Sequence, residues 1–321
     1  MQIELSAIRW PYRSMLDQIT HLFRLQAIIE EGSLRRAAER LHVTQPALSR
    51  SLIQLEQYFG QSLVERHARG VRPTLFGQKV LSASLRLMRQ WELTDQELRT
   101  EANATTINLR IGAGPVWRSV ILPVVMLDMQ KRFPHVVFEI HRAHPTDSYR
   151  DLSEGRLDVI LSGTGQETRH PRLIQKPLGV VNNLVVAREG HPIFARTNAE
   201  GRIRSETALE YPWLVYTEYS VYRELTIHAV HERLGHSPDI GLVCDSLNTT
   251  LATLQRSDYL SLLPEPITQA ASSPRLVPVP VDLVPREVSI GMIVREELEA
   301  SEPVRELEIA CADAIVRLRD L

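Results

Sequence analysis

The sequence predicts a chain of class α + α/β, in which a small helical unit precedes a larger unit of alternating strands and helices. Three observations support this prediction. Apolar residues recur at helical spacing over residues 20–60, one long helical pattern covers residues 75–100, and short apolar runs alternate with helical patterns from residue 107 onward. The 321 residues are enough for two or three domains.

Composition indicates a globular protein with an uneven charge distribution. The chain is 43% hydrophobic and 24% charged, with a formal net charge of −2. Residues 20–74 contain eight Arg and five Glu, whereas residues 75–321 contain 27 basic and 32 acidic residues. A small basic module on an acidic body is typical of a nucleic-acid-binding head joined to a part that does not bind nucleic acid.

Several other classes of protein are disfavoured. The longest apolar stretch, Val120–Leu127, is far shorter than the roughly 20 residues of a membrane span. Residues 1–16 are interrupted by charges and by Pro11, so they do not resemble a secretory signal, and Cys244 and Cys311 form neither a disulfide framework nor a metal motif. We therefore expect a reduced, cytoplasmic protein without a membrane partner. Whether translation starts at Met1 or Met15 stays open.

The helical unit begins with two short helices. Leu22, Leu25 and Ile28 form an apolar stripe, and Gly32 is suited to ending that helix in a left-handed conformation. Ser33 offers a side-chain oxygen to the first turn of the next helix.

A third helix follows a tight turn at residues 42–43. Thr44 is its predicted cap and Pro46 fits its first turn, while Leu48, Leu52 and Leu55 form its buried stripe. The second and third helices therefore form a helix-turn-helix with one polar face left free.

Two short extended runs come next, at residues 63–66 and 71–73, around the sequence His67-Ala68-Arg69-Gly70. A Gly-containing turn between two such runs predicts a hairpin. Because it carries Arg66, Arg69 and Arg72 directly after the third helix, we interpret this hairpin as the wing of a winged helix-turn-helix.

Residues 75–100 form one long predicted helix. Val80, Leu87, Trp91 and Leu98 have the spacing of a coiled-coil seam, which favours dimerisation, although packing within one chain is the alternative. The polar segment Asn103–Thr106 is the predicted hinge.

Strands and helices alternate beyond the hinge, which predicts α/β units with a largely parallel sheet divided into two lobes. The predicted strands are Ile107–Ile111, Val136–Ile140, Leu157–Leu161, Asn183–Ala187, Trp213–Tyr216, Ile240–Cys244, Tyr259–Leu263 and Val288–Val294. The predicted helices are Val116–Phe133, Asp147–Glu154, Tyr222–Leu234, Leu247–Gln255, Pro266–Ala271 and Val304–Leu318.

The stretch from Phe23 to Gly77 resembles the DNA-binding domain of LysR-type transcriptional regulators. The residues that carry the resemblance are Phe23–Leu34, Ala37–Arg50, Leu55-Glu56, Phe59-Gly60, Leu63–Arg66, Pro73-Thr74 and Gly77. Less specific similarities follow at Leu109–Gly112, Leu122-Pro123, Phe133-Pro134, Gly155–Asp158, His191-Pro192 and Ser261–Pro264. Two departures are the long start over residues 1–18 and Val64, where the family most often has Phe.

The resemblance implies a transcriptional regulator whose sensor domain is shaped like the two-lobed type 2 periplasmic binding proteins. It also implies a tetramer of linked dimers, an inverted-repeat operator in double-stranded DNA, and RNA polymerase as a further partner. The predicted domains are a 1–19 extension, a 20–75 winged helix-turn-helix, a 76–102 linker helix, a first sensor lobe of residues 108–180 with 284–321, and a second lobe of residues 181–283.

The predicted DNA-binding residues lie on the third helix, at the start of the second helix and on the wing. Arg can pair with guanine and Gln with adenine, whereas helix starts and wing Arg suit phosphate or the minor groove. The alternatives are that the helix residues form a solvated surface and that Arg66 pairs with Glu65 or Glu56. The residues are Ser33, Arg35, Arg36, Thr44, Gln45, Pro46, Ser49, Arg50, Gln54, Arg66, Arg69 and Arg72.

The predicted effector site lies beyond the carboxyl ends of strands, where ligands bind in open α/β sheets. Many family members have Ser or Thr where this chain has Gly114, Pro115 and Val116, which weakens the expectation of carboxylate binding. The carboxylates of Glu218 and Asp245 favour a ligand with hydroxyl or amine hydrogen-bond donors. The alternative is that these two residues cap helices or form surface ion pairs. The residues are Gly114, Pro115, Val116, Trp117, Gly163, Thr164, Thr217, Glu218, Asp245 and Ser246.

Other functions receive little support from the sequence. The groups His228, His231, His236 and His135, His141, His144 lack recognised zinc spacing, so we expect no metal and no cofactor other than a small-molecule effector of unknown identity. A solute-binding protein for transport would lack the winged head, and an enzyme would need a phosphate loop, nucleophile elbow or acid–base pair that is not evident. We expect no enzymatic activity.

Overall fold

The computed structural model describes residues 13–67, 70–101, 106–144, 147–164, 172–217, 231, 237–269, 274–281 and 286–319. The chain divides into an N-terminal unit that extends to Leu98 and a C-terminal unit that contains most of the chain from Arg99 onward. Each unit has hydrophobic core clusters of its own.

The N-terminal unit contains three helices, a hairpin and a long helix. Their bounds are α1 Arg13–Glu31, α2 Leu34–Arg40, α3 Gln45–Phe59, β1 Val64–His67, β2 Gly70–Pro73 and α4 Leu75–Glu101. The predicted helix-turn-helix, wing and long helix are therefore present. The first helix begins at Arg13, earlier than predicted, and it includes Ile19, which stands three residues before Leu22 at helical spacing.

The predicted helix boundaries are confirmed at atomic detail. Ser33 Oγ accepts the Arg36 N–H at 3.4 Å, and Thr44 Oγ1 accepts the Ala47 N–H at 3.4 Å. Each hydroxyl satisfies one of the N–H groups that a helix start leaves unpaired. Gly32 has φ +59 and ends α1 in the left-handed region.

The wing is fastened to the turn between α1 and α2. Val71 N donates to Gly32 O at 2.8 Å. Gly70 has φ +132, and a Cβ there would lie 2.3 Å from Gly32 O, so only glycine lets the hairpin approach this closely. Leu63 and Val64 join the core of the three helices.

The long helix α4 corrects one predicted residue of the coiled-coil seam. Val80 is 6% exposed and packs in the core of the N-terminal unit, so it does not face outward. Leu87, Trp91 and Leu98 are exposed, as a seam toward another molecule requires.

The C-terminal unit is built from nine strands and several helices within the described residues. The bounds are β3 Ile107–Ala113, α5 Leu122–Arg132, β4 Val136–Arg142, α6 Ser148–Ser153, β5 Val159–Gly163, β6 Leu173–Arg188, β7 Trp213–Tyr216, β8 Ile240–Cys244, α7 Leu247–Leu254, β9 Ser261–Pro264, α8 Glu265–Gln269, β10 Leu276–Pro278, β11 Arg286–Arg295 and α9 Glu302–Arg319. Short 3₁₀ helices lie at Pro192–Arg196, Ser205–Glu210 and Glu296–Leu298.

The main sheet is mixed rather than largely parallel, which corrects the prediction. Its order is β10-β6-β11-β5-β3-β4, with β9 also paired to β6, and β7 and β8 form a separate parallel pair. Only β3, β4 and β5 run parallel in it, whereas β6, β9, β10 and β11 form antiparallel pairs.

Two long strands join the lobes. β6 pairs with β11 over Leu173–Asn183 and with β9 over Asn183–Val186. The first lobe is thus built on β3, β4 and β5, and the second on β7, β8, β9 and β10. The sequence predicted only Asn183–Ala187 of β6, because the half-buried residues before it show no strict alternation of apolar and polar side chains.

The helix predicted over Val116–Phe133 contains a π-helical turn at Trp117–Ile121 before α5. Leu122 N donates to Trp117 O, five residues earlier. Pro123 has no N–H to continue the ordinary pattern, so the widened turn accommodates it within one helix.

A buried ion pair ties the first lobe together. Arg295 is 2% exposed and its guanidinium lies 3.2 Å from Asp158, which is fully buried. Arg295 Nη1 also donates to the carbonyls of Leu152 and Leu157, and Asp158 accepts the Arg110 N–H at 2.9 Å.

Two predictions fall on residues outside the described ranges: nearly all of the helix Tyr222–Leu234 and most of the hinge Asn103–Thr106. Among the helices that are described, none is long and apolar enough to cross a bilayer.

Candidate functional site

One face of α3 projects its polar side chains into solvent. Leu48, Leu52 and Leu55 bury the opposite face in the core of the N-terminal unit. This division leaves the outward side available to a partner. Four of the predicted DNA-binding residues are exposed on α3: Gln45, Pro46, Arg50 and Gln54. The helix cap Thr44 is also exposed, and Ser49 is half-buried.

Basic side chains near this face differ in how far acidic neighbours neutralise them. Arg35 lies 3.8 Å from Glu39, and Arg36 lies 3.9 Å from Glu31. Arg50 has no acidic partner among the described residues. A phosphate or base edge would therefore meet the charge of Arg50 uncompensated.

Arg40, which was not predicted to bind DNA, is held by acidic residues of α1. The hydrogen bond that Arg40 Nη1 donates to Glu30 Oε2, at 2.7 Å, raises the pKa of the guanidinium, and the Glu31 carboxylate adds to the effect at 3.3 Å. This arrangement fastens α2 to α1.

The two described arginines of the wing lie on opposite faces of the hairpin. Arg66 pairs in register with Val71, whereas Arg72 pairs with Glu65. Arg66 forms no ion pair with Glu65 or Glu56 in the described structure. Glu56 instead accepts the Leu63 N–H at 2.8 Å, and Glu65 pairs with His67 at 3.4 Å. Arg69 lies outside the described residues.

The exposed stripe of α4 is unusually apolar for a surface. Trp91 is 65% exposed, Leu98 59% and Leu87 44%. A row of large exposed apolar side chains on one helix is typical of a surface that contacts another protein molecule.

A cavity of about 150 Å³ lies between the lobes of the C-terminal unit. The helix start after β3 forms one wall, and the β6 and β11 strands and the ends of β7 and β9 form the others. The lining residues are Gly114, Pro115, Val116, Trp117, Ser162, Gly163, Val181, Asn183, Tyr216, Thr217, Leu262, Pro264, Val288 and Ile290. A wider depression of about 590 Å³ follows α7 and the residues directly after it, so it is a groove on one helix rather than an enclosed site.

Comparison with protein families accounts for both units. Residues 19–78 match the model of the bacterial regulatory helix-turn-helix protein of the LysR family, and residues 104–314 match the LysR substrate binding domain. The chain belongs to the LysR family. This LysR-type regulator is thus a DNA-binding transcriptional regulator whose activity responds to a small-molecule effector bound by the two-lobed domain.

Curated relatives are regulators of similar length. The chain is 25% identical over 268 residues to the transcriptional regulator TdcA of Escherichia coli, covering 84% of each chain. It is 26% identical over 287 residues to the SDS degradation transcriptional activation protein of a Pseudomonas species, covering 88% of this chain and 85% of that protein. It is 25% identical over 315 residues to PcaQ of Agrobacterium fabrum, covering 95% and 98%.

Solved structures share the fold. ArgP from Mycobacterium tuberculosis superimposes with a TM-score of 0.67 at 22% identity, covering 92% of this chain and 96% of that one. CbnR in complex with its target DNA superimposes with a TM-score of 0.61 at 18% identity, covering 94% and 99%.

The structure brings together six of the ten residues predicted for the effector site: Gly114, Pro115, Val116, Trp117, Gly163 and Thr217. Three others do not line the cavity. Thr164 is hydrogen-bonded to Ser289 at 2.7 Å, Ser246 caps α7 by accepting the Thr249 N–H, and Asp245 is exposed. Glu218 lies outside the described residues.

Eight lining residues were missed. Val181 and Asn183 come from β6: Val181 precedes the predicted strand, and Asn183 is its first residue. Val288 and Ile290 come from β11. The two-residue spacing within each pair is the signal that could have found them, since alternate residues of a strand share one face. Ser162, Tyr216, Leu262 and Pro264 complete the set, each at or near a strand end.

The histidines offer no metal site among the described residues. His141 lies 3.4 Å from Glu139, and His144 lies 3.6 Å from Asp147. Each thus has a local acidic neighbour. His228 and His236 lie outside the described ranges.

Proposed function

We propose that this LysR-type regulator binds an inverted-repeat operator as a dimer of dimers. In each head, α3 enters the major groove and the wing lies along the backbone. The observation that carries this proposal is the exposed Arg50 on the free face of α3, which has no acidic partner among the described residues. A guanidinium in that position suits the O6 and N7 acceptors of guanine.

The other predicted residues receive roles from their positions. We assign base-edge or nearby backbone contacts to Gln45, Pro46, Ser49 and Gln54. Helix-start contacts to phosphate are assigned to Ser33, Arg35, Arg36 and Thr44, because N–H groups converge there. Wing contacts to phosphate or the minor groove are assigned to Arg66, Arg69 and Arg72. Since Arg66 and Arg72 face opposite sides of the hairpin, we expect Arg66 and Arg72 to contact DNA unequally.

Two apolar surfaces support the proposed assembly. The α4 stripe of Leu87, Trp91 and Leu98 would pair two chains, placing two recognition helices about 34–36 Å apart. In the C-terminal unit, Val124 is 62% exposed and Leu127 is 70% exposed on α5. This second surface would join the dimers.

The proposed domains are a DNA-binding head of residues 20–75, preceded by a 1–19 extension, and a linker helix of residues 76–102. The first sensor lobe comprises residues 108–180 with 284–321, and the second comprises residues 181–283. A ligand shifts the arrangement of the lobes only if it binds one arrangement more tightly than another.

Because transcription takes place where bacterial DNA lies, the proposal places the protein in the cytoplasm, with RNA polymerase as a further partner. It assigns no enzymatic activity. The cavity lined by Trp117 and Thr217 is the proposed effector site, whereas effector contacts by the other predicted residues, Thr164, Glu218, Asp245 and Ser246, stay predictions.

Footprinting on the DNA upstream of the gene tests the proposal. The full-length protein should protect an inverted repeat with half-sites about one duplex turn apart. Arg50→Ala should weaken binding by about 1–3 kcal/mol and relax the preference at one base position. Gln57→Ala is the matched control, because Gln57 is exposed on the same face of the helix but two turns beyond Arg50, about 10 Å further along the helix axis.

Equal losses in Arg50→Ala and Gln57→Ala would contradict the assigned role of Arg50. If the wild-type protein showed only salt-sensitive binding without sequence preference, on the upstream DNA and on genomic fragments alike, the proposed operator recognition would be wrong.

A further inference from the structure

The cavity between the lobes has an uncharged lining among the residues that the structure describes. All fourteen described lining residues are neutral, and nine are the apolar or aromatic residues Pro115, Val116, Trp117, Val181, Tyr216, Leu262, Pro264, Val288 and Ile290. Moving a charged group from water into such a place is unfavourable unless an opposite charge or several hydrogen bonds compensate it. The described part of the lining therefore disfavours a charged ligand of either sign.

The helix start after β3 offers little to an anion. Gly114 N already donates to Leu161 O at 2.8 Å, and Pro115 has no N–H. Neither Gly114 nor Val116 has a side-chain hydroxyl that could add a hydrogen bond. A carboxylate here would find only part of the usual set of donors at a helix N-terminus.

One buried donor in this wall has no partner among the described residues. Trp117 is 1% exposed, and its indole Nε1 is without a hydrogen-bond acceptor. A Cβ built on Gly114 would lie 3.8 Å from Trp117 Cδ1, the ring atom bonded to Nε1. The pyrrole edge of the indole thus faces Gly114, which itself lines the cavity, and leaving this N–H unpaired is costly.

The size of the cavity limits its occupant. Its free volume is about 150 Å³. Sites for drug-sized ligands are usually about 300–1,000 Å³, whereas an apolar protein cavity of about 150 Å³ is known to hold benzene. The occupant is therefore about as large as one six-membered ring.

We propose that the effector is a small, uncharged, mainly apolar molecule of about the size of one six-membered ring, with a hydrogen-bond acceptor that the Trp117 indole binds. This inference rests on the proposed function of the cavity as the effector site, and it names the chemical class that the site selects. Trp117 is the residue that sets the requirement for an acceptor.

Thermal unfolding of the full-length protein with four matched probes tests the inference. Benzyl alcohol is neutral with an acceptor, toluene is neutral without one, and benzoate and benzylamine carry opposite charges. Benzyl alcohol should raise Tm by a few degrees at concentrations well above its Kd, toluene less, and the two ions not measurably. The concentration dependence of Tm gives each Kd.

Two substitutions identify the donor. Trp117→Phe keeps a ring but removes the N–H, so benzyl alcohol should lose about 2- to 12-fold in affinity while toluene stabilises the variant as before. Trp213→Phe is the matched control, because the Trp213 indole is equally buried but donates to Ala208 O at 2.9 Å, outside the cavity. Its probe affinities should match those of the wild-type protein.

Stabilisation by benzoate or benzylamine but not by benzyl alcohol would overturn the inference, as would the absence of any stabilisation by the four probes. If the ratio of benzyl alcohol affinity to toluene affinity were unchanged in Trp117→Phe, the Trp117 indole would not be the hydrogen-bond donor to the ligand. Footprinting without any probe distinguishes the two proposals: a protein that protects its operator but fails the probe test refutes only the effector class.

Discussion

Replacing Arg295 by Met tests the buried ion pair that holds the first lobe together. The substitution keeps an extended side chain but removes the guanidinium that lies 3.2 Å from the fully buried Asp158 carboxylate. It also removes hydrogen bonds of 3.1 and 2.7 Å to the carbonyls of Leu152 and Leu157. Breaking a buried pair from one side costs about 3–5 kcal/mol, because the remaining charge stays buried.

A loss of this size lowers the Tm of the C-terminal unit by about 6–20 °C, at roughly 2–4 °C per kcal/mol for a unit of this size. Tryptophan fluorescence reports on that unit, since Trp117 and Trp213 are fully buried in it. Arg196→Met is the control. Arg196 and Glu210 form an ion pair of 2.8 Å in which both side chains are about half exposed, and such pairs contribute about 0–1 kcal/mol.

Adding Asp158→Asn to Arg295→Met removes both charges, so the double variant should be at least about 1 kcal/mol more stable than the sum of the single losses indicates. If Arg295→Met cost no more than Arg196→Met, the buried pair would not stabilise the lobe and the reasoning would be refuted.

Two further predictions concern buried titratable side chains. Burial lowers the pKa of the His191 imidazole, so the unfolded chain takes up this proton more readily than the folded protein does. The folded protein therefore has its full stability above the unfolded pKa of about 6.5 and loses stability as pH falls through that value. His191→Asn, which keeps an acceptor for the Ile193 N–H, should show a smaller loss of Tm between pH 7 and pH 5; an equal loss would contradict this. Burial raises the pKa of the Cys311 thiol to about 12, so a thiol reagent should label only the half-buried Cys244 in the folded protein, and rapid labelling of Cys311 would show that its thiol is accessible.

The N-terminal unit could be predicted closely because its signals are local. Ser33 and Thr44 precede apolar stripes at helical spacing, and Gly32 stands where α1 ends. Each of these features needs only a few neighbouring residues to be recognised. Val80 was misassigned because spacing alone cannot distinguish a stripe that faces another chain from one that packs on its own core.

The C-terminal unit was predicted less completely because its decisive contacts are distant in sequence. Asp158 and Arg295 are separated by 137 residues, and no local pattern indicates that they meet. The strand β6 was shortened in the prediction because its residues change partner along its length, from β11 to β9. A strand with different neighbours on each half does not keep one simple alternation.

The same topology explains why the effector site was only half predicted and how its occupation could matter. The predicted half follows β3, β5 and β7, where the rule about strand ends applies. The missed residues Val181 and Ile290 lie within the two strands that pass between the lobes. A molecule in the cavity therefore contacts the helix start of the first lobe, Thr217 of the second, and the strands that connect them. A molecule that contacts both lobes at once would bind an arrangement that keeps these contacts more tightly than one that breaks them, which is the difference in affinity that regulation requires.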